Sequence, residues 1–414
     1  MNLSPDDQAI LGGEAGPAVR RALAMQRSVG EFFDALDFVP VASAHMMAEI
    51  ESMGEAGLRF VEAMAELGAQ VRVPTTCNPR SVDPAIWRDL GQDEAQVVSE
   101  ERLTRALEAC GVAVANTCIN YQTIQPPRFG EHHAWGDTGT VIFANSVAGA
   151  RTNFEGGPVA LAAGITGRTA RYGYHLDEQR RGTVLVDVTA APRSRADWSA
   201  LGCAIGRKVS DYWQVPVLDG LAALRPTSED LKHLGAALAS YGSLAMFHMV
   251  GVTPEAPTVA AAFDGAPPSR RFAIAPRDID DTYRSFVAER EKPDLVVFSA
   301  PQYSLFELRD LANALRGRRV QADVTLIVTT NDQNCALAEK LGYLATIRRA
   351  GGIVAAGTCF YLMTPRELRE KHGWRVILTD SSKLANIIAG YDYNPVFRPT
   401  EVCIDAAVTG RLAW

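Results

Sequence analysis

Residues 295–359 read LVVFSAPQYSLFELRDLANALRGRRVQADVTLIVTTNDQNCALAEKLGYLATIRRAGGIVAAGTC, and their alternation decides the fold class. LVVFSAP, 295–301, is a short apolar, β-branched run. SLFELRDLANALRG, 304–317, has helical spacing of Leu and Ala and stops at a glycine. DVTLIVTT, 323–330, is again a strand, NCALAEKLGYLATIRRAG, 334–351, a helix, and GIVAAGTC, 352–359, a strand. Strands apolar on both faces, separated by amphipathic helices, predict a mostly parallel sheet covered by helices.

Working outward, the N-terminal part repeats the theme. A helical run, AVRRALAMQRSVGEFFDAL, follows Asp6 and Asp7; FVPVASAHM is a strand and turn, IESMGEAGLRFVEAMAEL an amphipathic helix, and AQVRVPTTCNP a strand entering a Pro-bounded loop. Between about 125 and 175 the periodicity fades into Gly, Asn, Thr and Arg, the composition of loops that carry binding work. Three regions follow from this: an N-terminal α/β unit over 1–125, a central polar-loop region over 126–285 and a C-terminal α/β unit over 286–414.

The 414 residues are 47% hydrophobic and 21% charged, enough for several packed units. A net charge of −7 argues against nucleic acid, which demands a dense basic surface. No eighteen-residue apolar run predicts a membrane span, and the N-terminus lacks the basic and apolar regions of a secretion signal, so a cytoplasmic location is expected. Seven scattered cysteines without CxxC or zinc-finger spacing fit neither a disulfide framework nor a zinc site.

Two of those cysteines stand in related surroundings. ACGVAVANTC, ending at Cys118, matches AGGIVAAGTC, ending at Cys359, at an offset of 241 residues, with Ala, Gly, Ala, Thr and Cys in register. Both read as helix, turn, buried strand, then Thr-Cys at the strand's carboxyl end, where ligands collect in open α/β sheets. Thiolates converging there suit a soft metal or an iron–sulfur cluster; the bland alternative is a pair of small buried side chains.

Other segments carry polar chemistry. RFGEHHAW, 128–135, concentrates Glu131, His132 and His133, which suit acid–base work, metal support or plain hydrogen bonding to backbone. ANSVAGARTNFEGGP, 144–158, supplies Asn145, Ser146, Arg151, Thr152 and Asn153, with Gly156 and Gly157 to let an anion approach backbone amides. LTDSSKLA places Ser381 and Ser382 before a helix, with Lys383 as a point charge for an anionic group or, equally, as part of an ordinary helix cap. There is no Walker loop and no dinucleotide fingerprint.

Taken with LGGEAG at 11–16, VPTTCNP at 73–79, NTCINY at 116–121, AAGITGRT at 162–169, YGYHL at 172–176 and FHMVGVTPEA at 247–256, these blocks resemble the aconitase X family over essentially the whole chain. The resemblance implies an aconitase-like fold: several three-layer α/β units around a central cleft that a small swivelling domain completes. That domain is fused to the chain in one branch of the family and is a separate subunit in another; this chain corresponds to the large part, so a heteromer is expected. It implies a hydro-lyase acting on a small hydroxylated acid such as cis-3-hydroxy-L-proline or mevalonate 5-phosphate, using an iron–sulfur cluster. Carried over by position, Cys118 and Cys359 are cluster ligands. Arg151, Asn153 and Lys383 hold acid groups, with Thr152, Gly156, Gly157 and Ser381 beside them. Asn145 and Ser146 orient the reacting carbon, near Glu131 and His132.

The sequence departs from the family at three places. The third cluster ligand belongs to a GlyCysProHis motif, which here reads SerAlaProGln, so Ala300 stands where a thiolate is expected. AspThrGly at 137–139 replaces GluSerSer, and SerSerLys at 381–383 replaces SerGlyLys. The centre is therefore expected to be an iron–sulfur cluster completed by another ligand, a single metal ion, or none; a non-catalytic subunit is the remaining alternative.

Overall fold

Three parallel sheets, each wound outward from its middle, place three sets of loops against one another. A computed structural model describes residues 1–412. The first sheet contains β1 (Ala44–Met46), β2 (Thr75–Cys77) and β3 (Ala134–Trp135), in the order β2-β1-β3. The second contains β4 (Val184–Val188), β5 (Pro216–Asp219), β6 (His248–Met249) and β7 (Arg270–Ile274), in the order β6-β5-β4-β7. The third contains β8 (Leu295–Phe298), β9 (Thr325–Thr330), β10 (Gly352–Ala356), β11 (Val376–Thr379) and β12 (Asn394–Phe397), in the order β10-β9-β8-β11-β12. Every pairing within these sheets is parallel. The fold is thus the α/β architecture expected from the alternating pattern.

Strand order decides where a ligand fits. When the winding reverses, the loops leaving two adjacent strands diverge to opposite faces and leave a crevice at their carboxyl ends. In the third sheet that point lies between β8 and β11, beside Ser299–Gln302 and Asp380–Lys383; in the first it lies between β1 and β3, beside Met47–Glu49 and Gly136–Asp137.

The core accounts for the helices. Leu308, Leu311, Ala312 and Leu315 turn one stripe of the helix Leu305–Leu315 onto the third sheet, and Ser304 with Glu307 closes its N-terminus as a capping box. The helices Arg195–Val209 and Ser228–Gly242 begin the same way, on Ser194/Asp197 and Thr227/Asp230, and pack on each other beside the second sheet. The helical run read over 18–36 ends at Phe32.

Residues 126–178 pair with the N-terminal unit: β3 lies on β1, and Arg168–Ala170 pairs antiparallel with Phe38–Pro40. The second sheet begins only at Val184. Among the described residues no helix is long and apolar enough to cross a membrane.

Candidate active site

The two cysteines meet. Cys118 and Cys359 come from loops of different sheets, are both buried, and lie close enough that each thiol shifts the other's acidity. The backbone explains how. The strand expected before Cys118 is reduced to a single bridge, Thr76 to Ala113, and then Asn116 turns the chain with φ 49°. Gly357 makes the same turn before Cys359, with φ 65°, at the position equivalent to Asn116. A left-handed residue two places ahead of each cysteine swings both thiols inward.

Gln302 sews the two loops together. Its side-chain oxygen accepts from the Cys118 amide at 3.2 Å, while its amide nitrogen donates to the Asn116 carbonyl at 3.1 Å and the Thr358 carbonyl at 2.9 Å. Its own backbone N–H points at Cys118 Sγ, 3.3 Å away. Beneath it, buried Lys232 donates to the Gln302 carbonyl and to Glu307, which also bonds His233 at 2.7 Å. Ser299 Oγ lies 3.4 Å from Cys359 Sγ and accepts from the Phe360 amide.

Lys383 faces the thiols from the first turn of the helix Ser382–Ile388 that follows β11. Its Nζ donates to Thr138 Oγ1 at 3.0 Å and lies 3.5 Å from Asp137 Oδ1, with both charged side chains under 5% exposed. Burial works against the ammonium charge, but Asp137 and the two sulfurs outweigh it and push the Lys383 pKa upward. The two thiols differ in acidity. The bond from Cys118 leaves Cys359 the easier to ionise, despite burial, while that same bond and burial hold Cys118 far above an ordinary thiol.

A ring of buried polar atoms without partners among the described residues surrounds this group: Asp137 Oδ2, His45 Nε2, Glu49 Oε1, Tyr121 Oη, Thr358 Oγ1 and both polar side-chain atoms of Asn120. Burial lowers His45 to about 4, opposed by Asp137, and raises Glu49 to about 8. So many unmet donors and acceptors in one interior region mark space for water or a polar ligand.

The remaining predicted residues lie elsewhere or are already engaged. Asn145 donates to the Thr152 and Ala245 carbonyls and accepts from the Thr152 amide, and Ser146 accepts from the Phe247 amide. Thr152 Oγ1 bridges Trp135 N and the Asn153 carbonyl; Asn153 spans the Tyr172 carbonyl and the Tyr174 amide. Arg151 bonds the His175 carbonyl and Asp177, and His132 faces His175 at 2.9 Å, so these form a separate cluster, with Glu131 near His133. Gly157 is needed because a Cβ there would sit 2.3 Å from the Met47 carbonyl, whereas Gly156 starts the following helix in open surroundings. Ser381 caps the helix Ser382–Ile388 and donates to the Ala300 carbonyl. The polar block read as a substrate cradle is therefore engaged both internally and by Tyr172, Tyr174, His175, Asp177, Ala245 and Phe247. Asp137 and Gln302, visible in sequence only as departures from a pattern, stand in the chemistry.

A three-thiolate cubane does not fit these side chains. Ala300 occupies the third corner, fully buried, and Gln302 spends its amide holding the two cysteine loops. Among the described residues no three His, Cys, Asp or Glu gather to hold a metal ion.

Comparison with known proteins matches the chain along its length. Profiles described as the first, second and third domains of aconitase X match residues 1–178, 182–284 and 293–409. The phosphomevalonate dehydratase large subunit of Methanocaldococcus jannaschii is 34% identical over 99% of this chain and 100% of its own length. The cis-3-hydroxy-L-proline dehydratase of Pseudomonas aeruginosa is 37% identical over 98% of this chain and 70% of its own. The crystal structure of Thermococcus kodakaraensis aconitase X in its holo-form superposes with a TM-score of 0.88 at 32% identity, covering 98% of this chain and all of that one.

Proposed function

Because the chain belongs to the aconitase X family, whose named relatives are dehydratases, we propose that it is a hydro-lyase that dehydrates a small hydroxylated carboxylic acid without a three-thiolate cluster, together with a small swivelling subunit. The observation that carries this reading is the meeting of Cys118, Cys359, Lys383 and Asp137 between the crevices of two sheets, ringed by unmet polar atoms.

Dehydrating a β-hydroxy acid requires an anchor for the carboxylate, a base for the proton beside it and an acid for the departing hydroxyl. Lys383 supplies the anchor. Cys359, its charge stabilised by Cys118, Ser299 and Lys383, takes the proton, and the Cys118 S–H protonates the leaving oxygen as water. The proton then passes from Cys359 to Cys118 along their contact and resets the pair.

Charge favours a carboxylate over a phosphate ester. Lys383 is the cation beside the thiols and is already partnered by Asp137, leaving little for a phosphate dianion, which is bound by multiple or bidentate cations. A hydroxyproline of the cis-3-hydroxy class is therefore the substrate we assign, as the Pseudomonas relative is named for.

The test is turnover of cis-3-hydroxy-L-proline and mevalonate 5-phosphate by the chain co-purified anaerobically with a small subunit, with iron measured on the same sample. Dehydration of the hydroxyproline with far less than one iron per chain, abolished by Cys359→Ser, is expected. Stoichiometric iron with the visible absorption of a cluster would refute the cluster-free reading, and inactivity on both acids would refute the assigned substrate.

A further inference from the structure

Away from the thiols, the end of the helix Pro17–Phe32 and the residues after Asn153 enclose a cleft of about 470 Å³. Phe33, Phe154, Glu155, Tyr172, Tyr212 and Trp213 line it. Phe33 stacks on Tyr172 with ring centres 4.7 Å apart, Tyr212 meets Trp213 edge to face at 4.7 Å, and Phe154 lies 5.5 Å from Tyr212. Phe33 and Trp213 remain about two-fifths exposed at the rim.

Glu155 is the anomaly. Only 4% of it is exposed, and one carboxyl oxygen accepts from Thr169 Oγ1 at 2.8 Å. Its other oxygen takes no hydrogen bond from a described residue, and no lysine, arginine or histidine lines the cleft. Burial pushes the group up to about 7, opposed by the Thr169 bond alone, as expected for a carboxyl with no protein cation beside it. Burial raises Tyr172 and Tyr212, and the charge of Glu155 adds to both shifts, which places both phenols near it.

An acid buried among aromatic rings without a counter-charge is costly, and a cation entering from outside removes the cost. The ring faces reinforce the choice, since their negative quadrupoles attract an ammonium group and do little for a neutral molecule of the same shape. The absence of a basic side chain from the lining selects against phosphates and free carboxylates. We propose that this cleft binds a small organic ammonium ion, with Glu155 as its counter-charge and Phe33, Tyr172 and Trp213 as its walls. The site is separate from the thiol pair and does not depend on the reaction assigned above.

Calorimetric titration of the full chain with choline and with tetramethylammonium, against the neutral isostere 3,3-dimethylbutan-1-ol, tests it. The cations should bind about tenfold or more tightly than the alcohol, with Glu155→Gln losing about tenfold and Trp213→Leu several-fold. If the Glu155 variant melts early, Phe33→Leu serves in its place, with the same several-fold loss expected. No heat from either cation up to about 20 mM, equal binding of the alcohol, or full affinity in a folded variant overturns the proposal.

Discussion

Lys383 and Asp137 form a buried ion pair whose halves come from different sheets, so each holds the other in a place neither would occupy charged and alone. Removing one partner of such a pair strands the other charge, which costs about 3–5 kcal/mol. Lys383→Met should therefore lower unfolding stability by about that amount and abolish turnover. Lys383→Met combined with Asp137→Asn should regain most of the stability and none of the activity. Urea unfolding of the three proteins beside a turnover assay separates the structural part of the pair from its role as anchor. Gln302 acts differently: it is neutral and holds backbone groups. Gln302→Ala leaves the Asn116 and Thr358 carbonyls and the Cys118 amide without their partner, a loss of about 2–3 kcal/mol. Because the thiols then drift apart, the reactivity of Cys359 toward an alkylating agent should fall as the contact with Cys118 is lost.

At the scale of an element, the helix Ile50–Glu66 begins on Glu49, whose carboxyl is fully buried and bonded by Asn78. Burial raises it to about 8, with Glu100 and Asp137 adding to the shift and Ser52 and Asn78 opposing it. A pKa raised on folding gives stability that is complete below the unfolded value of 4.5 and is lost as pH climbs to the folded value. The buried histidines work the other way, His45 and His133 being lowered by burial to about 4, but their contribution is already complete above the ordinary imidazole value of 6.5. Between pH 6.5 and 8 the Glu49 effect stands nearly clear, with Glu155, near 7, adding to its lower end. Stability should decline by about 2 kcal/mol across that window, and Glu49→Gln should remove most of the slope. Chemical denaturation at several pH values reads it directly.

The same scale shows what was legible in the chain. Three strands of the third sheet, β8, β9 and β10, were written plainly, because each lies in a largely apolar run and the helices between them are amphipathic. The first sheet was faint: β1, β2 and β3 are two or three residues long, too short to display a period, and β3 follows a stretch of loops. The pairing of Cys118 with Cys359 was visible through the repeated Thr-Cys ending, since equivalent turns at Asn116 and Gly357 preserve the geometry even where the strand before Cys118 has dwindled to a bridge. Composition leaves the role of the 145–157 block open. Asn, Thr and Arg in a glycine-rich loop suit a ligand and suit a self-bonded loop equally, and only hydrogen-bond partners distinguish them. Asp137 and Gln302 show in the sequence only as departures from a pattern; what they do depends on groups far along the chain, Lys383 for the one and Asn116 and Cys118 for the other.

For the molecule as a whole, the decisive feature is that the reactive group is closed. Cys118, Cys359, Asp137 and Lys383 are each less than 5% exposed, and the crevices of the first and third sheets face each other across them. A substrate held there needs a wall that moves, and several of the relatives are named as large subunits, which fits a partner that swings over the crevice. Burying a carboxylate beside a lone ion pair is favourable only when water is excluded, because in open solvent the Lys383–carboxylate attraction falls to about 1 kcal/mol. The large chain alone should accordingly bind the substrate weakly and turn it over at less than about 1% of the rate of the complex, with the deficit in kcat as well as KM. Hydrogen exchange checks the same point without turnover. Adding the small subunit and substrate together should protect the amides at 299–302, 357–360 and 380–384 more than either alone, because these segments carry Cys359, Lys383 and the groups bonded to the thiols. Full activity of the isolated chain, or protection confined to the outer helices, would mean that the partner docks elsewhere and that the thiol chamber opens by a motion of the large chain itself.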